Sequence, residues 1–400
     1  MLRFEPYQAR RIVNVHRHVD GPWFWDKYTA HPYVGCRSGC SFCFLRGGRY
    51  SGTREPSDLD QVIRVKENAP ALLRRELGRL EREVLVCGDW QEPAESRYRL
   101  SRAMLEVVRD LGFPLLVIER SPSVVRDVDL LVEIGRRSWA GVLFSISNLD
   151  RSLKAAFEPR SPGVRGRLEA MARLAGAGVH VGTALTPIIP AVGDDLRHLD
   201  DVVRATRDHG GAFVLAGGMT LDGAQRELTL GAARRFDPAL PSRWTELYGD
   251  ASPHQGGASP SSGYQSRIGL LVRELCARHE LCDRIPRPIL PGPRAANKRV
   301  AERLFLRTYD LELDRAPSHR VWAHRKAAWA IDELPENVAD IHRARGVRGL
   351  AEVPAVGGTI AREIATWLER DPDLAARSAD SVGSETGGSR TGEQLELRLR

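Results

Sequence analysis

Short apolar runs alternate with amphipathic stretches through the first half of the chain. The apolar runs have the length of strands, and the stretches between them have the length and spacing of helices. The apolar runs lie at 84–86, 114–118, 141–144, 179–184 and 212–216. The amphipathic stretches lie at about 58–82, 96–111, 123–136, 164–177 and 196–209. With a first strand near Tyr33 and Val34, this pattern predicts an α/β protein of about six β/α units around a parallel sheet.

Length and local composition predict how the rest of the chain is organised. The 400 residues exceed one ordinary core and indicate two or three domains. Residues 237–264 are rich in Pro, Gly and Ser, which is typical of a linker or mobile loop. Residues 265–372 are expected to form an all-α domain, and the Ser-, Gly- and Thr-rich tail at 373–400 is expected to be disordered. The first domain would then cover residues 1–236.

Charge and hydropathy indicate where the protein is located and which partners it can bind. No apolar run reaches the roughly 20 residues that span a bilayer. The N-terminal MLRFEPYQARR lacks the apolar core of a signal peptide. The sequence therefore predicts a soluble, cytoplasmic protein with no membrane partner. The net charge of +7 permits a nucleic-acid partner without requiring one.

Three of the six cysteines fall within eight residues, as Cys36, Cys40 and Cys43. Their C-x3-C-x2-C spacing predicts a [4Fe–4S] cluster, because thiolates are the ligands of such clusters. Three cysteines leave one iron open to a substrate or cofactor, whereas a purely structural site would be closed. A zinc site and three unrelated thiols are the alternatives, and zinc ligands usually come as separated pairs that total four. Gly35 and Gly39 allow the loop to curl around a cluster.

This loop resembles the signature of radical S-adenosylmethionine (SAM) enzymes, including the aromatic Phe42 before the third cysteine. The resemblance implies a partial (β/α)6 barrel with the loop after its first strand. It also implies that SAM binds the fourth iron and that one-electron reduction cleaves SAM to a 5′-deoxyadenosyl radical, which abstracts hydrogen from a substrate. An electron donor such as flavodoxin or ferredoxin is implied as well.

Longer segments within residues 10–220 resemble the group related to spore photoproduct lyase, also called DNA repair photolyase-like. They include HPYVGCRSGCSFCF, GDWQEPAE, IERSPSVVRDVDLL, SISNLD, FEPRSPGVRGRLEAMARLAGAGV and LTPIIPAVGD. The chain departs from the group at 89–95, where Asp89, Pro93 and Glu95 keep the group's pattern and the middle does not. The resemblance therefore assigns no substrate contacts to the middle of this segment.

Residues at the strand ends are candidate ligands for SAM. Asp89 or Glu95 can hold the SAM ammonium group, or they are acids that stabilise a helix N-terminus. Ser145 and Ser147 can bond the SAM ribose or carboxylate, or they serve ordinary turns. Arg160 can hold a carboxylate or phosphate, or it forms a surface ion pair.

The other three cysteines have different expected roles. Cys87 ends the predicted second strand, beside the expected SAM site. Spore photoproduct lyase uses a cysteine in this general region to return a hydrogen atom to its product radical, which makes Cys87 the candidate catalytic residue. A buried thiol acting as a small apolar side chain is the alternative, and we favour it. Cys276 and Cys282 are expected to pack in a helical region, with a second metal site as the alternative.

Residues 349–364 resemble a helix-hairpin-helix motif, in which a Pro-x-Val-Gly turn joins two short helices. The turn and the next helix N-terminus present backbone N–H groups to a phosphate without regard to base sequence. The candidate nucleic-acid ligands of the turn are Val356, Gly357, Gly358 and Thr359.

Segments before this turn resemble the N-terminal domain of β-type DNA polymerases, and Arg325 and Lys326 lie in one of them. Some of those domains remove deoxyribose phosphate with a Schiff-base lysine. Glu363 stands at the matching place here, so that reaction should be absent, and His324 stands where related domains often have Tyr. From Arg284 to Arg370 there are 16 basic and 11 acidic residues, which favours DNA binding. The tryptophans of this region are expected to lie in its core.

Three functional hypotheses follow from these patterns. The first is a radical SAM enzyme of the lyase type that repairs or modifies a damaged base flipped out of DNA. The second is a radical SAM enzyme acting on RNA, a peptide or a small molecule, with the helical domain as a docking module. The third is a DNA-binding iron–sulfur protein without enzymatic activity, which an open iron disfavours.

Overall fold

The computed structural model describes residues 2–47, 56–248 and 259–375. The strands are β1 (Arg3–Tyr7), β2 (Asn14–Val15), β3 (Tyr28–Ala30), β4 (Tyr33–Val34), β5 (Val62–Lys66), β6 (Leu85–Cys87), β7 (Leu115–Glu119), β8 (Ala140–Ser145), β9 (His180–Ile188) and β10 (Phe213–Gly218). Short 3-10 helices cover Phe44–Arg46, Pro56–Asp60 and Pro122–Asp127.

The first helices of the chain are α1 (Gly21–Phe24), α2 (Ala69–Leu77), α3 (Ala94–Tyr98), α4 (Leu100–Leu111), α5 (Val128–Arg137), α6 (Arg151–Phe157), α7 (Val164–Gly176) and α8 (Leu196–Asp208). They are followed by α9 (Gly223–Phe236), α10 (Leu240–Tyr248), α11 (Ser262–Arg278), α12 (Ala295–Leu313), α13 (Ser318–Asp332), α14 (Val338–Ala351), α15 (Gly358–Arg370) and α16 (Pro372–Ala375).

A seven-stranded sheet with the order β10-β9-β8-β7-β6-β3-β2 organises the first part of the chain. Neighbouring strands from β3 to β10 in this order are parallel, and β2 adds antiparallel to the edge. Helices follow the parallel strands and cover the sheet, so strands such as β8 are buried along their whole length. The predicted α/β class with six β/α units, as in a partial (β/α)6 barrel, is confirmed.

The five predicted apolar runs coincide with β6 to β10, but the predicted first strand was wrong. Tyr33–Val34 is β4, which belongs to a separate three-stranded sheet with the order β1-β5-β4. The first parallel strand of the main sheet is β3, which pairs with β6. Only three residues long, with the polar Thr29 at its centre, β3 has too short an apolar run to be recognised.

The predicted linker at 237–264 contains a packed helix, α10. Leu240, Trp244 and Tyr248 recur every fourth residue and are buried in one core cluster. The Trp244 indole donates to the Pro190 carbonyl at 2.9 Å, and the Tyr248 hydroxyl donates to the Met219 carbonyl at 2.7 Å. Composition rich in Pro, Gly and Ser concealed this apolar stripe. Residues 249–258 of the predicted linker lie outside the described residues.

Two compact units divide the chain differently from the predicted domains. The first comprises described residues up to Pro288 together with Leu306–Val321, and the second comprises Ile289–Phe305 with described residues from Trp322 onward. Helix α11 belongs to the first unit, because Ile268, Val272 and Leu275 lie in its main core. The second domain therefore does not begin at 265. Of the predicted tail, residues 373–375 lie in α16, and 376–400 are outside the described residues.

In the second unit, α14, a turn and α15 cover the segment 349–364 that resembles a helix-hairpin-helix motif. Gly346 interrupts α14 with a φ of 57°, and a turn from Glu352 to Gly357 connects α14 to α15. Asn297 connects α12 to the segment before α14. Its buried side-chain amide donates to the Leu334 and Glu336 carbonyls at 2.8 and 2.9 Å.

Among the described helices, none combines the length and apolar character needed to cross a membrane.

Candidate functional site

The cysteine loop follows β4 and ends in the 3-10 turn Phe44–Arg46. Two of its glycines have positive φ angles, 114° at Gly35 and 64° at Gly39. A Cβ atom at Gly35 would lie 2.4 Å from the backbone oxygen of Val62, and one at Gly39 would lie 2.3 Å from the Arg160 guanidinium. Only glycine allows the loop to turn this tightly against its neighbours.

The three thiols of the loop lie within electrostatic reach of one another. Cys40 is buried, and Cys36 and Cys43 are half-buried. Burial raises the pKa of Cys36 and of Cys40 to about 11 and also raises the pKa of Cys43. Cys40 adds to the shift at Cys36, and Cys43 adds to the shift at Cys40. A positively charged group with several irons would reverse this effect, since thiolates are the metal-binding form.

The donor set of the loop is three thiols, and thiolates are the ligand type of iron–sulfur clusters. Within the described residues, no three His, Cys, Asp or Glu side chains converge closely enough to bind one metal ion. Zinc requires its ligands at about 2.0–2.3 Å from one centre. A cubane cluster instead takes one thiolate at each of several irons, so its three cysteines surround a larger volume.

An arginine at the end of β7 contacts this loop. The Arg120 Nη1 atom lies 3.5 Å from the Cys40 Sγ atom and 2.7 Å from Glu158 Oε2. Its guanidinium carbon lies 5.5 Å from the centre of the Phe42 ring, within the range of a cation–π contact. A fixed positive charge therefore stands beside one of the predicted cluster ligands.

Glu158 and Arg167 complete a buried ion network behind Arg120. Burial by itself would raise the pKa of Glu158, but Arg120 and Arg167 outweigh burial and lower it, so the carboxylate keeps its charge. The fully buried Arg167 donates to Glu158 at 2.8 Å and to the Ser145 carbonyl at 2.6 Å. Helix α7, which carries Arg167, is thereby connected to the end of β8.

Arg160, predicted as an anion ligand, contacts the cysteine loop itself. Its backbone N–H donates to the Ser38 carbonyl at 3.2 Å, and its Nε donates to the Arg37 carbonyl at 3.0 Å. Its guanidinium also forms an ion pair with Asp60, which pairs with Arg46 at 3.4 Å as well. These contacts give Arg160 a role in holding the loop, and its role as a SAM or phosphate ligand stays a prediction.

Gln91 connects Asp89 to the cysteine loop by hydrogen bonds. The Gln91 side-chain amide donates to the Gly35 carbonyl at 2.9 Å and to the Asp89 carboxylate at 2.8 Å. Burial, with the nearby Glu119 carboxylate as a second cause, raises the pKa of Asp89 to about 8. A cationic ligand such as an ammonium group would favour ionisation of Asp89, and Asp89 stays the predicted partner of SAM.

Glu95 lies in a buried network of its own. One carboxylate oxygen accepts from the Tyr33 hydroxyl at 2.6 Å and from the Ser101 N–H at 3.1 Å. The other accepts from Arg126 at 2.9 Å. Both oxygens of Glu95 therefore have partners within the protein, as do both oxygens of Asp89, which accept from the Gln91 N–H at 3.0 Å and from its side-chain amide at 2.8 Å. Each stays a predicted ligand of SAM.

Cys87, Ser145 and Ser147 are all buried near the strand ends. Burial raises the pKa of Cys87 to about 12, so its thiol stays protonated at neutral pH. A protonated thiol is the form that can give a hydrogen atom. The Ser147 hydroxyl donates to the Thr186 carbonyl at 3.0 Å, which connects the segment after β8 to β9. The roles of these three residues stay predictions.

Four side chains of the site were missed by sequence reasoning: Gln91, Arg120, Glu158 and Arg167. The segments that contain them, GDWQEPAE, IERSP and FEPRSPGVRGR, were all singled out. Their residues were not chosen because pairing across 38 positions, as between Arg120 and Glu158, cannot be read from local spacing.

The predicted nucleic-acid ligands of the second unit fall into two groups. Gly357, Gly358 and Thr359 are exposed at the start of α15, whereas the Val356 side chain is buried. The Val356 N–H donates to the Val353 carbonyl at 3.0 Å, so neither its side chain nor its N–H is available to a phosphate here, and the expectation for Val356 was wrong. A Cβ atom at Gly357 would meet no atom within 4 Å, so open space lies in front of this backbone.

The exposed face of α13 carries Trp322, Arg325 and Lys326. Trp322 is 47% exposed, so the expectation that the tryptophans lie in the core was wrong for Trp322, and Trp329 and Trp367 are half-buried. The Arg325 guanidinium carbon lies 5.1 Å from the centre of the Trp322 ring. The His324 Nε2 atom lies 3.4 Å from Glu363 Oε2.

No protein-family model matches this chain. A protein of Mycobacterium tuberculosis described as uncharacterized is 29% identical over 286 residues, which cover 70% of this chain and 82% of the relative. A spore photoproduct lyase variant with bound AdoMet and dinucleoside spore photoproduct has a TM-score of 0.46 at 16% identity, covering 66% of this chain and 78% of that one. Methylornithine synthase has a TM-score of 0.37 at 14% identity, covering 63% of this chain and 62% of that one. These are likenesses of sequence and fold, and the chemistry depends on the residues of the site.

Proposed function

We propose that this protein is a radical SAM enzyme that holds a [4Fe–4S] cluster on Cys36, Cys40 and Cys43. The observation that carries the proposal is the C-x3-C-x2-C loop, tightly turned at Gly35 and Gly39 beside the carboxyl ends of parallel strands. Active sites of β/α folds are built at that end of the strands. When bound, the cluster supplies one electron that cleaves SAM to methionine and a 5′-deoxyadenosyl radical.

The residues around the loop have separate roles in this proposal. Asp89 accepts the ammonium group of SAM, and Gln91 connects Asp89 to the loop backbone at Gly35. Ser145 and Ser147 lie at the end of β8, where they are candidates for polar contacts with SAM. Cys87, buried and protonated, is the candidate that returns a hydrogen atom to a product radical.

DNA is the proposed substrate, and a damaged base is the proposed target. Support comes from the second unit, whose exposed turn glycines can accept a phosphate and whose α13 presents Arg325 and Lys326. These contacts would hold the DNA backbone while a base leaves the stack to reach the site, since chemistry inside the duplex is out of reach. An electron donor such as flavodoxin or ferredoxin would supply the reducing electron.

The test is anaerobic reconstitution with iron and sulfide, followed by measurement of 5′-deoxyadenosine formed from SAM under dithionite. The protein is assayed alone, with undamaged DNA and with UV-irradiated DNA. We expect cleavage of SAM, stimulation by irradiated DNA and loss of activity in Cys40→Ala, with Cys282→Ala as the matched control that keeps activity.

Three other outcomes separate the alternatives. Cleavage of SAM that no DNA changes would move the search to RNA, peptide and small-molecule substrates. A bound cluster without cleavage of SAM would favour a DNA-binding iron–sulfur protein. A protein that binds neither iron nor sulfide would refute the proposal.

A further inference from the structure

The ion pair between Arg120 and Glu158 is the feature from which a further role follows. Arg120 is the residue whose guanidinium reaches a thiol of the loop, at 3.5 Å from the Cys40 Sγ atom. Its side chain is 21% exposed and that of Glu158 is 2% exposed, so water screens neither charge well. The pair therefore acts on Cys40 through a medium of low polarity.

We infer that Arg120 raises the reduction potential of the bound cluster and that Glu158 both positions Arg120 and partly offsets its charge. This inference rests on the proposed function. Reduction adds one negative charge to a cluster, and hydrogen bonds and positive charges at its sulfur ligands stabilise that charge. A carboxylate at the same place opposes it. Arg120 is thus a positioning and tuning residue for electron entry and need not touch the substrate.

Glu158 is held where this balance requires it. Arg167 donates to Glu158 at 2.8 Å, and the Ser161 hydroxyl donates to the same carboxylate at 2.9 Å. Because these two donors fix the carboxylate, the Arg120 guanidinium that pairs with it is also fixed. A rigid donor at the thiolate gives a defined potential, whereas a mobile arginine would be solvated and ineffective.

A purely structural pair is the competing explanation. Arg120 follows β7 and Glu158 follows α6, so the pair also joins two segments around the loop. Either Arg120→Gln or Glu158→Gln would remove the ion pair that makes this connection, and a structural role predicts potential shifts of the same sign. An electrostatic role predicts shifts of opposite sign, because one variant removes a positive charge and the other removes a negative charge.

The experiment is a redox titration of the cluster in the full-length reconstituted protein, followed by the EPR signal of the reduced form. Arg120→Gln should make reduction at least tenfold less favourable, a shift of about 59 mV for one electron. Arg120→Lys should stay near the parent protein because it keeps the charge. Glu158→Gln should shift the potential in the positive direction, because an amide oxygen in the place of Oε2 can still accept from Arg120 and Arg167 and so keeps Arg120 in position.

Arg126→Gln is the matched control, since Arg126 pairs with Glu95 and Asp127 rather than with a residue of the loop. It should leave the potential unchanged. Equal potentials in all variants, or shifts of the same sign in Arg120→Gln and Glu158→Gln, would overturn the inference while the proposed function stands. Absence of iron and sulfide from the parent protein would overturn the proposed function and this inference together. If Arg120→Gln alone fails to hold a cluster, Glu158→Gln still decides the sign, because an electrostatic role requires a positive shift in that variant.

Discussion

The cysteines of the loop differ from Cys276 and Cys282 in the residues that surround them. Cys36, Cys40 and Cys43 share one loop, with Arg120 against Cys40. Cys276 lies in the main core. The backbone of Cys282 forms an isolated β-bridge with that of Phe213. The two groups should therefore respond differently to the loss of a thiol.

Replacing any one loop cysteine by serine should reduce bound iron and sulfide to about a tenth or less of the parent level. A hydroxyl is a poor ligand for iron in such clusters, which take thiolates. Iron and sulfide analysis after anaerobic reconstitution measures the loss. Cys282→Ser should keep the parent content, and an equal loss in that variant would mean that the loop has no special role.

The raised pKa of Asp89 predicts how the cluster-free protein responds to pH. An aspartate has an ordinary pKa of 3.8, and burial raises the pKa of Asp89 to about 8 in the folded protein. Protonated Asp89 suits the folded state, so its contribution is full below pH 4 and is lost as the pH rises through 8. Asp89→Asn has no proton to lose.

The stability of Asp89→Asn relative to the parent protein should therefore increase when the pH is raised from 5 to 8. Thermal unfolding at both values should show the difference in Tm increase by at least about 2 °C, the shift that roughly 1 kcal/mol produces in a domain of 150–250 residues. The exposed Asp208→Asn should show the same difference at both values. A constant difference for Asp89→Asn as well would contradict the raised pKa.

Among the structural elements, the cysteine loop depends on two glycines that tolerate substitution unequally. A methyl group at Gly39 meets the flexible end of Arg160, but one at Gly35 meets the backbone of Val62. Gly39→Ala should cost about 1–2 kcal/mol for its left-handed backbone. Gly35→Ala should cost more and should also lose the cluster, because the backbone of β5 cannot move aside.

Thermal unfolding and iron content together measure both variants. Gly176→Ala is the control, because a methyl group at this exposed helical position meets no atom within 4 Å. It should stabilise the protein by about 0.5–1 kcal/mol. Equal effects of Gly35→Ala and Gly39→Ala would show that the close approach to Val62 does not govern the loop.

The turn that connects α14 to α15 offers a separate test. Its last residue, Gly357, has an ordinary φ of −77° and open space in front of it. Gly357→Ala should leave thermal unfolding unchanged. If a phosphate approaches this backbone closely, the added methyl group should weaken DNA binding several-fold in fluorescence anisotropy. Unchanged affinity would mean that DNA, if it binds, binds elsewhere.

Which elements could be predicted depended on how local their signal is. Strands such as β7 and β8 are continuous apolar runs, and the cysteine loop is defined by spacing within eight residues. By contrast, β3 is too short, and α10 hides three buried residues among Pro and Ser. The ion network behind Cys40 could not be predicted, because its members come from distant segments that meet only in the folded chain.

Across the full length of the chain, the two compact units interleave. Residues Leu306–Val321 belong to the first unit although the second unit begins at Ile289. Deletion of 296–370 would remove part of the first unit as well, so loss of DNA binding in such a deletion would not identify the binding surface. Point variants on the described surface are the better test.

Changing Arg325 and Lys326 together to glutamine should weaken DNA binding about equally for all sequences. Cations that bind phosphate release counterions, so the dependence of log affinity on log salt should become shallower by up to about 0.9 for each of the two side chains on duplex DNA. Affinity measured between 50 and 200 mM salt gives the slope. Exposed Arg165 and Arg197, in the first unit, provide a double glutamine control that should keep the parent slope.

The interleaving also bears on how the protein is made. A chain leaves the ribosome from its N-terminus, and domains fold as their last residues emerge. Here the first unit lacks Leu306–Val321 until after Ile289–Phe305 of the second unit has already emerged. During that interval the nascent chain would carry an incomplete first unit, for which a chaperone or a pause in translation would have its greatest effect.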